Sequence, residues 1–170
     1  MKNIDLPIRY GLAILLGAFH QLFYWIFSPW TLHSTYWLLS IFYDVVLEGS
    51  SISFDSVTFA LIPACTAATA YLLLSLLVLL TRGISVLTRL KMFIYGALLI
   101  LAFNTLRIFL LVWVYVSFGK NYFDALHLVL WHVVSTVVVI LIWIFLTKYY
   151  KVKGIPIYSD FKYLIELMKE

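Results

Sequence analysis

Four long apolar runs constrain this chain more than any other feature of its sequence. They cover residues 8–27, 57–80, 92–118 and 122–147. A helix needs about 20 consecutive apolar residues to cross the hydrocarbon core of a bilayer. Apolar residues make up 64% of the chain and charged residues 12%, whereas an average soluble domain is about half apolar and about a quarter charged. The sequence therefore predicts an all-α, polytopic membrane helical bundle.

Its length of 170 residues predicts a single integral membrane domain covering residues 1–170. The first run is interpreted as a retained helix, because no small-residue cleavage site follows it. Residues 154–170 are predicted to form an amphipathic tail helix in the plane of the cytoplasmic membrane interface. Its apolar face would consist of Phe161, Leu164, Ile165 and Met168.

The segment at residues 31–47 allows two interpretations. As a helix it would be about 25 Å long, which is short for a span. It also presents polar groups at near-heptad spacing, on the face shared by His33, Trp37, Ser40 and Asp44. We favour an amphipathic helix on the outer membrane surface. The alternative is a fifth span whose polar stripe faces its neighbours. The polar segment that follows, at 48–56, is expected to form a small hairpin or an extended loop.

The basic residues flank the apolar runs and predict the orientation of the chain. The net charge is +4, with basic clusters in the loop at 82–91 and in the flank at 148–153. Such clusters are usually cytoplasmic, which places 48–56 and 117–124 outside. Lys2 and Arg9 are then best placed inside. The pattern indicates a multi-pass protein of the plasma membrane that contacts anionic lipid, and not a nucleic-acid-binding protein.

Several polar side chains fall within the predicted spans, where an ionisable group is costly and is a functional candidate by default. Cys65, Arg107 and His127 belong to three different runs, yet each is predicted to lie about 8–15 Å below the outer surface. A guanidinium or an imidazole favours the thiolate of a nearby cysteine. Histidine can protonate a leaving amine, and a fixed guanidinium can stabilise an oxyanion.

Other polar residues extend this set. Asn104 shares a helix face with Arg107, and Asp124 is spaced to orient His127. His132 is the alternative to His127 as the third residue. With one cysteine in the chain, an intrachain disulfide and a Cys-rich metal site are excluded. Neither a metal nor an organic cofactor is expected.

Each of these residues also has a structural interpretation. A single cysteine in a membrane helix is usually a small packing residue. An arginine near the interface often extends to lipid head groups, although Arg107 is deep for that. His20 more often bonds a neighbouring helix than performs chemistry. Asp124 can act through the helix dipole alone.

Taken together, these residues resemble the exosortase/archaeosortase family of membrane transpeptidases. That family has a cysteine after an extracellular polar loop, then Asn-x-x-Arg on a later helix, then a His or Arg on the next. The matching segments are Pro63-Ala64-Cys65-Thr66-Ala67, Asn104-Thr105-Leu106-Arg107-Ile108 and Leu126-His127-Leu128-Val129-Leu130-Trp131-His132. Many members have Ser-Gly where this chain has Thr66-Ala67, and the chain is short, which resembles a compact archaeal branch.

The resemblance implies a catalytic core at about 48–147 and an active site near the extracellular face. It implies Cys65, Arg107 and His127 as catalytic residues, a cysteine peptidase or transpeptidase activity, and no cofactor. The substrates would be exported proteins with a C-terminal tripartite sorting signal, which are cleaved through a thioester and passed to an acceptor, expected to be a membrane lipid. Two alternatives come from the residues alone: a small transporter or channel subunit, and a non-catalytic membrane assembly protein.

Overall fold

The computed structural model describes residues 5–54, 57–60, 63–130 and 135–168. These residues are mostly helical, which confirms the coarse prediction of a helical protein. The α-helices are α1 (Asp5–Ala18), α2 (Gln21–Ser40), α3 (Ala68–Leu80), α4 (Val86–Phe118), α5 (Lys120–Val129), α6 (Ser135–Tyr149) and α7 (Tyr158–Leu167). The remaining elements are strands β1 (Val46–Glu48), β2 (Ser51–Phe54) and β3 (Val57–Ala60), and a 3-10 helix at Pro63–Thr66.

Helix α4 corresponds to the third apolar run. It has 33 residues, or about 50 Å of length, and is the one described helix that is long and apolar enough by itself to cross a membrane. It begins earlier than its apolar run because Ser85 caps it, accepting a hydrogen bond from the Thr88 amide at 3.2 Å. The helix ends before Gly119, because the φ of 83° at this glycine lies outside the right-handed helical range.

The predicted division into a first span at 8–27 and a separate helix at 31–47 was wrong. The chain bends by 65° between α1 and α2, and α2 covers the end of the first region and residues 31–40 of the second. The bend occurs beside the polar pair His20 and Gln21, where the amides of Leu22 and Phe23 bond carbonyls three residues back. Helix α2 buries one side, because a buried residue recurs every fourth position at Thr31, Thr35 and Leu39.

The second and fourth apolar runs are also interrupted, which corrects the prediction of four continuous spans. Residues 57–80 form β3, the 3-10 helix and α3, because Pro63 lacks an amide donor and Ala67 has a φ of 55°. The fourth run divides into α5 and α6. With 13 and 15 residues, α3 and α6 are shorter than a usual span.

The strands form an antiparallel sheet in the order β1-β2-β3, so the segment after α2 is a hairpin followed by a third strand. The left-handed turn is made at Gly49, with a φ of 59°. Ile52 and Phe54 point from β2 into a buried cluster with Leu39 and Val112. The sheet thus covers the C-terminal half of α4.

A second and larger core joins α2, α3, α4 and α6. Tyr71 and Leu74 are fully buried there, together with Ile100 and Val139. Gly96 permits the close approach of α4 to α3, since a Cβ at this position would lie 2.6 Å from a Leu74 methyl carbon. This core holds α3, α4 and α6 side by side and places their polar residues near one another.

At the other end of α4, Arg9 is buried, a position that the sequence did not predict. It is 2% exposed and forms an ion pair of 2.7 Å with Asp160 of α7. Arg9 Nη1 also donates to the Leu80 carbonyl at 3.2 Å, and the Arg82 guanidinium lies 3.6 Å from the centre of the Tyr163 ring. The N-terminal helix, the 82–91 loop and the tail therefore meet at one end of α4.

Helix α7 confirms that the tail is helical, although the helix begins at Tyr158 rather than near residue 154. Asp160 faces inward, towards Arg9. Phe161, Leu164 and Met168 are exposed. The apolar face predicted from the sequence is thus left uncovered in the folded chain.

Candidate active site

Cys65 lies in the 3-10 helix between β3 and α3, and not inside a long helix as expected. It is half-buried and packs against the cluster beneath the sheet. The next residue, Thr66, is fully buried, and the left-handed Ala67 separates this turn from α3. The cysteine therefore occupies a short 3-10 segment, half-buried, one turn before the N-terminus of α3.

Two side chains of α4 contact the backbone of this turn. Asn104 Nδ2 donates to the Cys65 carbonyl at 2.8 Å, and Arg107 Nη2 approaches the same oxygen at 3.5 Å. Asn104 is 5% exposed. The spacing of three residues places both on one helix face, as the sequence predicted. The structure thus brings Asn104, Arg107 and Cys65 together.

The Arg107 guanidinium is held by neutral groups. Its Nη1 donates to Ser135 Oγ at 3.1 Å, and its Nη2 approaches the Cys65 carbonyl. Its Nε is buried and makes no hydrogen bond to the residues that the structure describes. Within the same part of the chain, no carboxylate forms an ion pair with Arg107. The positive charge is therefore only partly satisfied by its surroundings.

His127 lies on α5, which packs against α4. The helix is attached through aromatic contacts: Phe123 stacks edge-on against Tyr115 of α4 at 5.7 Å and against the His127 ring at 5.4 Å. The half-buried imidazole therefore lies on a separate helix that packs against the helix of Arg107.

The remaining candidates fall into different positions. Asp124 is exposed and makes no hydrogen bond to His127, so its influence on the imidazole is electrostatic. His132, the alternative third residue, lies outside the described residues. His20 is exposed at the break between α1 and α2.

A pocket of about 250 Å³ opens beside Arg107. Its wall is almost entirely apolar and comes from α3, α4 and α6, with Asn104, Arg107 and Ser135 as its polar groups. A smaller pocket of about 130 Å³ adjoins it and is also lined by Arg107 and Ser135. The guanidinium therefore faces space that an apolar part of a ligand can occupy.

Ser135 is a polar residue of this site that the sequence did not reveal. It is the first residue of α6 and donates a hydrogen bond to the Leu130 carbonyl at 2.9 Å. A serine at the edge of an apolar run has many structural uses, so its identity alone carries little information. Its contact with Arg107 depends on how α4 and α6 pack.

No three His, Cys, Asp or Glu side chains of the described residues lie close enough together to hold a metal ion. The chemistry available to the described residues is that of a thiol, a guanidinium and an imidazole from three elements. No protein-family model, curated protein or solved structure matches this chain.

Proposed function

We propose that this chain is a membrane-embedded cysteine transpeptidase of the exosortase/archaeosortase type, acting on C-terminal sorting signals of exported proteins. The observation that carries the proposal is the meeting of Asn104 and Arg107 of α4 at the Cys65 carbonyl. Helix α5, which carries His127, packs against α4. A thiol, a guanidinium and an imidazole together supply what acyl transfer needs.

The proposal places α4 across a membrane, together with the shorter helices beside it. The most apolar window of α4 is 33% buried, whereas the core helix of a soluble protein is mostly buried. Large apolar side chains of α4 and α6 are exposed, among them Leu98, Leu106, Leu141 and Phe145. A soluble monomer rarely exposes so much contiguous apolar surface.

Helices α3 and α6 are short for spans, but polar side chains compensate for the interruptions beside them. Non-helical backbone at membrane depth is tolerated where protein groups satisfy it. The Cys65 carbonyl is bonded by Asn104, and the Leu130 carbonyl by Ser135. The proposed arrangement is therefore multi-pass, with the interrupted segments near the extracellular face.

In the proposed reaction the Cys65 thiolate attacks a peptide carbonyl carbon close to the recognition motif. Arg107 stabilises the negative charge that develops on the carbonyl oxygen. His127 donates a proton to the leaving amine as the C–N bond breaks and the thioester remains. A nucleophile on a membrane lipid then attacks the thioester carbonyl, and the thiol is released. The apolar pocket beside Arg107 keeps water scarce around the guanidinium.

A second candidate function is that of a non-catalytic membrane assembly protein. It is favoured by the same hydrogen bonds, because Asn104 and Arg107 supply donors to backbone or hydroxyl groups at helix interruptions. In this role the polar residues hold helices together. Their replacement would then lower stability and function in parallel.

The test is processing of a co-expressed exported protein that carries an intact C-terminal sorting signal. Wild type is compared with Cys65→Ser and His127→Ala at matched folded levels in membranes, with exposed His33→Ala as the histidine control. We expect Cys65→Ser to abolish processing, His127→Ala to reduce it strongly and His33→Ala to leave it unchanged. A thioester adduct of the substrate should be trapped on wild type.

Equal processing by wild type and Cys65→Ser would exclude cysteine catalysis on that substrate. Loss of processing that follows loss of folded protein in every variant would favour the assembly function.

A further inference from the structure

We propose that Ser135 is a positioning residue, whose hydroxyl sets the direction of the Arg107 guanidinium relative to Cys65 and to the helix that carries His127. The proposal rests on the transpeptidase function proposed above and adds a residue that the sequence did not single out. It concerns a side chain that acts through Arg107 and does not itself touch the substrate.

The direction of both hydrogen bonds at Ser135 follows from the chemistry of the groups. A guanidinium donates and never accepts, so Ser135 Oγ accepts from Arg107 Nη1 at 3.1 Å. The single hydroxyl proton of Ser135 is then given to the Leu130 carbonyl at 2.9 Å. A lone pair of the oxygen consequently faces Arg107, and the hydroxyl cannot rotate without breaking one of the two bonds.

These bonds extend to the end of the helix that carries the proposed third catalytic residue. Leu130 caps the C-terminus of α5, and its amide donates to the carbonyls of His127 and Leu126. A chain of two hydrogen bonds therefore runs from the Arg107 guanidinium through Ser135 to the backbone at the C-terminus of α5. It joins α4, α6 and α5 at a single hydroxyl.

The other contacts of the guanidinium are weaker or missing. Nη2 approaches the Cys65 carbonyl at 3.5 Å, which is the outer limit of a hydrogen bond, and that oxygen already accepts from Asn104 at 2.8 Å. Nε has no hydrogen-bond partner in the described part of the chain. The bond to Ser135 is thus the strongest constraint on the guanidinium.

The surroundings leave room for the guanidinium to move if that bond is lost. Arg107 and Ser135 together line the pocket of about 250 Å³ and the adjoining one of about 130 Å³. Without the acceptor, the guanidinium can turn into this space and away from Cys65. Because oxyanion stabilisation depends on a preorganised donor, such a turn slows the chemical step more than it weakens substrate binding.

The experiment uses the full-length protein in lipid nanodiscs and a synthetic peptide that carries a sorting signal. It compares wild type with Ser135→Ala, Ser135→Thr, Arg107→Lys and the double variant Ser135→Ala/Arg107→Lys. Ser40→Ala is the control, because it removes an exposed hydroxyl from α2 that lines neither pocket. The measured quantities are kcat and KM.

We expect Ser135→Ala to lower kcat about tenfold to a hundredfold while KM changes less than about twofold, since misplacement of a catalytic group has effects of this size. Ser135→Thr keeps the hydroxyl and should retain most of the activity. The double variant should be no slower than Arg107→Lys alone, because Ser135 acts through Arg107. Additive effects of the two changes, or unchanged kcat in Ser135→Ala, would overturn the proposal.

A second measurement tests the positioning role of Ser135 without relying on transpeptidase activity. The rate of Cys65 alkylation by iodoacetamide is followed against pH, because alkylation reports the thiolate and needs no substrate. Ser135→Ala should shift the midpoint of this profile to higher pH, and Ser40→Ala should not. No shift would refute the positioning role. A shift without any turnover by wild type would uphold it and reject the transpeptidase reaction for that peptide.

Discussion

Arg9 and Arg107 are both buried to a large degree in an apolar protein, but they are satisfied in different ways. Arg9 is paired with the Asp160 carboxylate at 2.7 Å and contacts the Leu80 carbonyl at 3.2 Å. Arg107 is bonded to a hydroxyl and approaches a carbonyl, and it lines a pocket. One guanidinium is neutralised and enclosed, whereas the other keeps its charge beside an open space.

The difference separates a structural end of the molecule, around Arg9 and Asp160, from a candidate reactive end, around Arg107 and Cys65. Arg89 lies near the structural end of α4. It is 18 residues from Arg107, which corresponds to about 27 Å along the helix. At the first end, α1, α7 and the 82–91 loop are tied together by charge pairing and by the contact of Arg82 with Tyr163. At the second, the polar groups satisfy interrupted backbone, and Arg107 has no carboxylate partner among the described residues. Two arginines of one chain therefore differ in whether a counter-charge accompanies them.

The largest expected effect is on stability at the structural end. Arg9→Met leaves the Asp160 carboxylate, 1% exposed, without its cation. Loss of one partner from a buried pair costs about 3–5 kcal/mol, so the free energy of unfolding should fall by that amount. Urea unfolding in mild detergent measures it.

The control is the double variant Arg9→Met/Asp160→Leu, which removes both charges and should recover most of the loss. A loss below about 1 kcal/mol in the single variant would contradict the view that this pair is enclosed.

The next effect is on activity at the reactive end. Arg107→Gln keeps amide donors but removes the charge, and should lower processing about 10²–10³-fold, as loss of an oxyanion-stabilising donor does. Its unfolding free energy should change less than that of Arg9→Met, because no buried carboxylate loses its partner.

Arg89→Gln is the matched arginine on the same helix. It bonds the Thr81 carbonyl near the structural end, so at equal folded levels processing should be unaffected. If Arg89→Gln and Arg107→Gln impair processing equally, the two ends do not differ as described.

The smallest effect is expected at Arg82, whose guanidinium lies over Tyr163. Arg82→Leu should lower the unfolding free energy by about 0.5–1 kcal/mol, the usual contribution of an exposed cation–π contact. Lys162→Leu, which removes an exposed charge from α7, is the control and should have a smaller effect. Equal losses in both variants would mean that the charge, and not the ring contact, stabilises this end.

The sequence predicted well those local features that depend on a single helix or hairpin. The third apolar run became α4, and the spacing of Asn104 and Arg107 placed them on one face, since helix geometry alone decides both. The polar segment after α2 could be recognised as a hairpin or loop because Gly49 and its serines disfavour a helix.

The sequence predicted poorly where an apolar run was read as one helix. Residues 57–80 were expected to be a single span, but Pro63 and the left-handed Ala67 divide them. Hydropathy reports how apolar a segment is and does not report where the backbone turns. The partner of Arg9 was missed for a related reason, because Asp160 is 151 positions away along the chain.

By itself, therefore, the sequence determined the apolar, mostly helical character of the protein, the long helix α4 and the identities of the polar residues that an apolar chain must accommodate. These follow from composition and from the 3.6-residue period of a helix. The tertiary structure decided which polar groups meet: Arg9 with Asp160, Asn104 with the Cys65 carbonyl, and Arg107 with Ser135. Such pairings depend on how separate helices pack, because hydrogen bonds and ion pairs act over a few ångströms whatever the distance along the chain.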